Sequence, residues 1–308
     1  MNSVPSWPEL PYANWSRTLA TLHMWTQIFG KIRMVQSPWL NHSWHVTLYV
    51  TPSGLTTGNI PHGDGYFAIA FDFIRHKLVI EECNGGSETV ALESKDTADF
   101  YEEVMTALKN LRLPVVINTT PNEVPDPIPF PEDRTHNTYD PDAVNRFWRA
   151  LYQVDRVFSH FRAGFSGKAS PSHFFWGSFD LAVTRFSGRE APDHPGGLPN
   201  MPLWVAQEAY SHEVSSAGFW PGGEAYPEAI FYSYAYPVPD GFDKAKVLPE
   251  AATWSTDLGE FVLPYEAVRS ADDPEATLRQ FLQTTFDAAA QLGNWDLEQY
   301  RRRHFPAS

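Results

Sequence analysis

Five prolines between Asn118 and Pro141 constrain this chain more than any other feature. They are Pro121, Pro125, Pro127, Pro129 and Pro131. Proline fixes its own backbone angle and lacks an amide proton, so prolines at alternate positions hold a chain extended and exclude a helix. The segment therefore predicts a connection that packs along the surface between two lobes. The predicted division is an N-terminal lobe at 1–117, the connection at 118–140, and a C-terminal lobe at 141–308.

The N-terminal lobe is expected to contain a helix, several strands and a closing helix. Apolar residues recur at helical spacing between about residues 15 and 34, which predicts a helix there. Alternating residues predict strands at 45–51, 66–73, 77–82 and 87–92. Asp96 stands where it can cap a second helix that ends near Leu111.

The C-terminal lobe repeats this order of elements. Asp140 and Pro141 begin a predicted helix that ends near residue 165, and a long strand is predicted from His173 to Phe186. The remaining predictions are loops at 188–202 and 218–227, strands at 230–236 and 261–263, and a helix at 274–292.

The shared order of elements indicates an internal duplication. Ser37-Pro38 and Ser170-Pro171 align at the same offset as Val50-Thr51 and Val183-Thr184. The expected fold is therefore α+β, with two similar lobes that each contain a helix, an antiparallel sheet and a closing helix. A cleft between the lobes is then the natural place for a functional site.

The charge balance excludes several classes of partner. The 308 residues carry a net charge of -14, whereas nucleic-acid binding needs clustered Lys and Arg side chains. The only basic run, Arg301-Arg302-Arg303, is interpreted as a solvated helix end. No stretch approaches the roughly 18 apolar residues of a membrane span. We therefore expect neither a nucleic-acid nor a membrane partner.

Cysteine usage and the first residues bear on the compartment. A single cysteine, Cys83, excludes an intramolecular disulfide and indicates a reducing compartment. The first twelve residues lack a basic region followed by an apolar run, so no signal peptide is expected. These observations predict a cytoplasmic protein.

The densest group of candidate catalytic residues lies between Ser211 and Gly223. His212 and Glu213 can transfer protons or bind a metal, and Trp220 belongs to a glycine-rich stretch that can close over a ligand as a loop. On an extended strand, His212 and Glu213 would point to opposite faces and could not both reach one ligand. A loop held in place by hydrogen bonds alone is the competing interpretation.

A second group lies on the long predicted strand that begins at His173. On a regular strand, Asp180 shares one face with Trp176 and Ser178, while His173 and Arg185 lie on the other face. A carboxylate buried among aromatic residues needs a donor, a cation or a ligand. The planar guanidinium of Arg185 suits an anionic group. A purely structural arrangement of Asp180 and Arg185 is the alternative.

The sequence leaves the cofactor unknown and a divalent metal as one option. Two His residues, His42 and His45, are three positions apart, a spacing that can bind a metal on a turn but not on a strand. A site can also be assembled from distant segments, with four candidate ligands: His45, His173, His194 and His212. HExxH and CxxC motifs are absent, as are the GxSxG, GxxxxGKS/T and GxGxxG patterns of common hydrolases and nucleotide-binding proteins.

Four strings of residues are distinctive. They are Trp7-Pro8-Glu9-Leu10-Pro11-Tyr12, Leu22-His23-Met24-Trp25-Thr26-Gln27, the segment from His173 to Arg189, and the segment from Tyr210 to Gly222. Together they resemble a bacterial family of uncharacterised proteins known only as a domain of unknown function. The resemblance covers nearly the whole chain, and it implies no particular activity, cofactor or site residue.

The leading hypothesis is an enzyme that acts on a small polar or anionic substrate through His and carboxylate groups. The candidate catalytic residues are His212, Glu213, His173 and Asp180, and the candidate substrate-binding residues are Arg185, Trp176, Ser178 and Trp220. Metal-assisted hydrolysis, isomerisation and lyase chemistry all stay open. A non-catalytic small-molecule-binding protein with an aromatic-lined pocket and a scaffold protein are the alternatives, and the sequence does not decide whether the protein is an enzyme.

Overall fold

The computed structural model describes residues 6–299, which form two antiparallel sheets and six α-helices. The α+β prediction is therefore confirmed. Within the described range, no helix is long and apolar enough to cross a membrane. The basic run Arg301-Arg302-Arg303 lies outside the described residues.

The first sheet is a five-stranded meander in which strands that follow one another in the chain are neighbours. Its strands are β1 (Tyr49–Val50), β2 (Gly54–His62), β3 (Gly65–Asp72), β4 (Lys77–Glu82) and β5 (Ser87–Ala91). On β3, the alternate residues Phe67, Ile69 and Phe71 are fully buried, as expected for a strand with one face on a core. The predicted strands at 66–73, 77–82 and 87–92 are confirmed.

Strand β2 was not predicted, because its sequence contains residues that usually interrupt strands. Gly58 has a φ of 64°, and the pairing of β2 with β3 shifts between Thr56 and Asn59. A β-bulge therefore absorbs the glycine without ending the strand.

Two helices cover the first sheet. Helix α1 (Ser16–Gln36) buries Trp25 and Phe29 completely, and the ring of Phe29 lies 4.6 Å from that of Phe71. Helix α2 (Thr97–Asn110) begins at Asp96, whose side chain accepts a hydrogen bond from the Asp99 amide at 2.9 Å. Both predicted helices, and the predicted cap, are confirmed.

Two further long helices belong to the second half of the chain. The side chain of Asp140 caps α3 (Pro141–Ala163) by accepting hydrogen bonds from the amides of Asp142 at 2.9 Å and Ala143 at 3.1 Å. Helix α6 (Pro274–Leu292) has the predicted bounds. The short helices α4 (Leu203–Ala209) and α5 (Tyr265–Arg269) were not predicted, because one or two turns show no helical periodicity.

The second sheet has six strands in the order β10-β11-β9-β8-β7-β6. They are β6 (His173–Phe175), β7 (Asp180–Glu190), β8 (His212–Trp220), β9 (Ile230–Tyr236), β10 (Thr253–Ser255) and β11 (Glu260–Pro264). The predicted strands at 230–236 and 261–263 are confirmed. One face of this sheet carries apolar side chains, among them Leu181, Phe219 and Phe231, which belong to the core.

Three predictions in the sequence were wrong. The segment from His173 to Phe186 is not one strand but a hairpin, because Phe179, at a φ of 60°, ends the turn between β6 and β7. The candidate loop around His212 is an internal strand, β8, in which small Ser and Gly residues fit between crowded neighbours. The strand predicted at 45–51 is reduced to β1.

The two sheets meet at a short contact. Leu48, just before β1, forms an isolated antiparallel bridge with Phe174 of β6, with hydrogen bonds of 2.9 Å in both directions. Buried residues of both sheets and of the segment 118–140, including Phe130, form one continuous core. The arrangement does not confirm an internal duplication, because β1 is an edge strand and β7 is not. The duplication and the division into 1–117, 118–140 and 141–308 stay predictions.

A glycine of α1 lets the second half of the chain approach the helix. A Cβ atom on Gly30 would lie 2.2 Å from Cδ1 of the Trp176 indole. In an unobstructed helix, Gly30→Ala would stabilise the fold by about 1 kcal/mol. Here we expect overpacking to reverse the sign and destabilise the protein by about 1–3 kcal/mol, measured by urea unfolding.

A double-mutant cycle provides the control for Gly30. In a Trp176→Ala background the indole is absent, so Gly30→Ala should recover the stabilisation expected of a helix position. Equal effects of Gly30→Ala in both backgrounds would contradict the assigned contact.

Candidate functional site

Polar side chains gather on one face of the second sheet, opposite the apolar face. Residues that pair across neighbouring strands point to the same face of a sheet, and so do alternate residues of one strand. The pairs Phe175–Asp180 and Gly218–Tyr232 therefore lie on one face. We call this side the polar face and define it by Asp180, Thr184, Ser216, Tyr232, Tyr234 and Glu260. His173, His212 and Trp220 lie on it by the same alternation.

Asp180, the first residue of β7, belongs to the polar face and is 6% exposed. Its Oδ2 accepts a hydrogen bond from the hydroxyl of Tyr232. The tyrosine reaches Asp180 from β9 by lying across β8 at Gly218, where a Cβ atom would be 2.3 Å from the phenol oxygen. A glycine inside a strand often marks such a close approach, and here it allows the pairing of Asp180 with Tyr232.

Two carboxyl groups of the polar face have pKa values near neutrality. Burial, aided by the charge of Glu123, raises the pKa of Asp180 to about 7, although the Tyr232 hydrogen bond opposes the shift. Burial and the charge of Asp180 raise the pKa of Glu260 to about 8. The two groups therefore titrate as an interacting pair, and the pair retains protons at neutral pH.

A third carboxyl group, that of Glu123, approaches from outside the sheet. Burial raises its pKa, and the Ser178 hydroxyl, which donates to Glu123 Oε2 at 2.5 Å, opposes that shift. Among residues 6–299, Asp180, Glu260 and Glu123 form no ion pair within 4.0 Å. Burial and mutual repulsion, without a compensating cation, thus explain the raised values.

Tyrosine and hydroxyl side chains continue the polar face beyond Asp180. The hydroxyls of Tyr210 and Tyr234 lie 2.8 Å apart, and so do those of Thr184 and Ser216. The rings of Tyr232 and Tyr234 are nearly parallel, with centroids 6.1 Å apart. Burial raises the pKa of Tyr210, Tyr232 and Tyr234. These phenols are therefore protonated at neutral pH and can donate hydrogen bonds.

The proline-rich segment holds Glu123 in place. The amide of Asn122 donates to Gln27 Oε1 at 2.8 Å, and Gln27 Nε2 donates back to the Asn122 carbonyl at 2.7 Å. Lys31 donates to the Asn122 side chain. Gln27 and Lys31 are both buried, so α1 holds this segment against the second half of the chain.

The turn between β6 and β7 completes this edge of the site. A Cβ atom on Gly177 would lie 1.9 Å from Glu123 Oε1, so a larger residue there would displace that carboxyl group. Trp176 is anchored beside it, since its Nε1 donates to the Val46 carbonyl at 2.8 Å. Ser178 is exposed and contacts Glu123. The predicted residues Trp176 and Ser178 thus belong to a turn rather than to a strand.

Two predicted site residues point away from the polar face. Arg185 is 2% exposed, and its guanidinium carbon lies 3.4 Å from the ring centroid of Phe161, whose carbonyl accepts its hydrogen bond. Glu213 pairs with Arg189, with an N–O distance of 2.6 Å. The structure therefore does not bring Arg185 or Glu213 together with Asp180.

The four His residues proposed as metal ligands have separate surroundings. His45 lies against Trp39, His173 against Trp44, His194 against Tyr210 and His212 against His42, with ring centroids 4.4, 5.5, 4.4 and 6.0 Å apart. In the part of the chain that the structure describes, no group of three His, Cys, Asp or Glu side chains could hold a metal ion. Trp220 lies at the end of β8 near Tyr226, at 6.4 Å.

Several residues of the polar face were missed by sequence reasoning. Tyr232 and Tyr234 carried a usable signal, because alternate tyrosines on a predicted strand share one face. Glu123 and Glu260 carried none, since each interacts with the charge of Asp180 from a distant part of the chain.

The comparisons with known proteins identify a family but no function. Residues 7–302 match the model of a family described as a family of unknown function (DUF5996). Neither the comparison with curated proteins nor the comparison with solved structures gave a significant match.

The raised pKa of Asp180 predicts a pH-dependent contribution to stability. Between about pH 4 and pH 7 the folded protein keeps a proton on Asp180 that the unfolded chain has lost, so stability falls as the pH rises. The contribution is about 4 kcal/mol at most. Asp180→Asn has no titrating group at this position and lacks this loss. The unfolding free energy of the variant minus that of wild type should therefore increase as the pH rises from about 4 to 7. Urea unfolding at a series of pH values measures the difference, and parallel curves would contradict it.

The hydrogen bond from Tyr232 should act on the titration of Asp180. Tyr232 stabilises the carboxylate, so Tyr232→Phe is expected to raise the pKa of Asp180 above its wild-type value. Carboxyl 13C NMR titration of the two proteins measures this change. Tyr226→Phe, which alters a tyrosine beside Trp220, is the control and should leave the titration unchanged.

Proposed function

The chain belongs to DUF5996, a family of unknown function, and we propose from its polar face that it is an enzyme that transfers protons on a small hydroxyl- or amine-bearing substrate. The observation that carries this proposal is the buried carboxyl group of Asp180, which accepts a hydrogen bond from Tyr232 and interacts electrostatically with Glu260. The raised pKa values of the two carboxyl groups, about 7 and 8, agree with it. A general acid or base works best when its pKa is near the working pH.

Proton transfer requires one group that accepts a proton and another that donates one. Around neutral pH, the carboxyl groups of Asp180 and Glu260 together carry fewer than two protons. The carboxylate that remains can take a proton from a substrate carbon or oxygen. The protonated partner can return a proton to a second substrate atom. An isomerisation of this kind balances without any other reactant, so it is the simplest reaction for the pair.

The charge of the polar face supports a neutral or cationic substrate. Its carboxyl groups repel anions, and its tyrosine and serine hydroxyls can bind substrate hydroxyl or amine groups. The expectation of an anionic substrate depended on Arg185, which lies on the opposite face of the sheet. In this proposal Asp180 and Glu260 are catalytic, Tyr232 positions Asp180, and Tyr234 and Ser178 bind substrate.

Non-catalytic binding of the same class of ligand is the second candidate. It is favoured by the parallel stacks of Tyr232 with Tyr234 and of His194 with Tyr210, whose interplanar angles are 16° and 19°. The faces of aromatic rings can bind sugars and organic amines without chemistry.

Deuterium exchange tests the catalytic proposal directly. The protein is incubated in D2O with a panel of aldoses, ketoses, polyols and primary amines, and 1H NMR and mass spectrometry follow deuterium incorporation and product formation. We expect exchange in at least one substrate. Asp180→Asn should slow it by about 100-fold or more, the usual contribution of a general acid or base.

The matched control is Asp257→Asn, which removes an exposed carboxyl group between β10 and β11. It should keep the wild-type rate. Wild-type turnover by Asp180→Asn would exclude the proposed catalytic role. Saturable changes in tyrosine fluorescence without exchange would favour the binding protein, and no response to any compound would contradict the substrate class.

A further inference from the structure

A cluster of positive charge lies where the two sheets meet, at the joint between β1 and β6. Arg33, in the last turn of α1, is 9% exposed, and its Nε and Nη1 atoms have no hydrogen-bond partner among residues 6–299. The Nε atom of Arg162, near the end of α3, is buried and equally without a partner in that range. Neither arginine forms an ion pair within 4.0 Å there. Buried guanidinium groups ordinarily have such partners.

His173 of β6 belongs to the same cluster. It is 1% exposed, and its Nδ1 atom has no hydrogen-bond partner in the described part of the chain. Burial, together with the charges of Arg33 and Arg162, lowers the pKa of His173 to about 3. The imidazole is therefore neutral at neutral pH and lies in a positive field.

Aromatic side chains form the walls of this cluster. The guanidinium carbon of Arg33 lies 5.0 Å from the ring centroid of Tyr49, and the rings of Tyr49 and His173 are 5.6 Å apart. The ring of Trp44 lies 5.5 Å from His173. Tyr49, Trp44 and Arg162 are half-buried, so they connect the enclosed donors with the protein surface.

The carboxyl group of Asp155 interacts with the charge of Arg162. It forms no ion pair within 4.0 Å with either arginine among residues 6–299. The unpartnered N–H groups of Arg33 and the positive charge around His173 can therefore bind another anion.

We propose that Arg33, Arg162 and His173 form a binding site for the oxyanion group, phosphate or carboxylate, of a small molecule. Guanidinium groups bind both kinds of oxyanion through charge-assisted hydrogen bonds, and the neutral imidazole adds another polar contact. The aromatic walls suit the organic part of such a molecule. The site shares the polar face through His173, but its basic groups differ in charge from the carboxyl groups of Asp180 and Glu260. It does not depend on the proton transfer proposed there.

Binding experiments with inorganic phosphate and malonate test the site without any need for turnover. Calorimetry and NMR of the His173 ring follow titration to millimolar concentrations, with sodium chloride at matched ionic strength as the salt control. Saturable shifts of the His173 resonances and a rise in its pKa are expected, because a bound anion offsets the two arginine charges. Arg33→Gln and Arg162→Gln should each weaken binding by about 10-fold or more.

Arg17→Gln is the matched control, since Arg17 is an exposed arginine on the same helix as Arg33. It should bind as tightly as wild type. Phosphate binding alone identifies a phosphate ligand, malonate binding alone identifies a carboxylate, and binding of both supports a general oxyanion site. Arg162 is half-buried, so its variant tests the site even if Arg33→Gln does not fold. The proposal is overturned if neither probe exceeds the effect of chloride, or if Arg162→Gln binds like wild type.

Discussion

The contact between Trp176 and Gly30 is the interaction on which both halves of the structure depend. The indole lies directly against the backbone of α1, and its nitrogen donates to the Val46 carbonyl. This contact seats the turn before β7 against the first half of the chain. This turn also places Gly177 and Ser178 beside Glu123, and it leads into β7, which carries Asp180. This close approach therefore positions Glu123 where its charge acts on Asp180.

The second constraint is the burial of charged groups that lack a partner of opposite charge. It affects acidic groups in one place and basic groups in another. On the polar face, Asp180 and Glu260 are buried without a cation partner among residues 6–299, so their pKa values rise towards neutrality. At the joint of the sheets, Arg33 and His173 are buried without a carboxylate partner in the same range, and the pKa of His173 falls. Structures seldom keep such groups for stability alone, so both places are candidate functional sites.

Local signals in the sequence predicted the regular elements well. Helical periodicity and the carboxylate caps at Asp96 and Asp140 located α2 and α3, because both depend on residues close in the chain. The hairpin at Phe179 and the internal strand β8 were not predicted. Both segments are rich in aromatic residues or glycine and show no clear alternation of apolar and polar residues. Their conformation therefore depends on neighbouring strands.

The sequence by itself determined the α+β class and the main helices, and it identified Asp180 and His173 as candidate site residues. Tertiary structure alone decided which polar residues share a site. Strand pairing placed Tyr232 over Gly218 and next to Asp180. The alternation of side chains along β7 and β8 directed Arg185 and Glu213 to the opposite face of the sheet. The reason is physical: side-chain direction follows from local alternation, but proximity and burial, which set the pKa values, arise only when distant segments pack together.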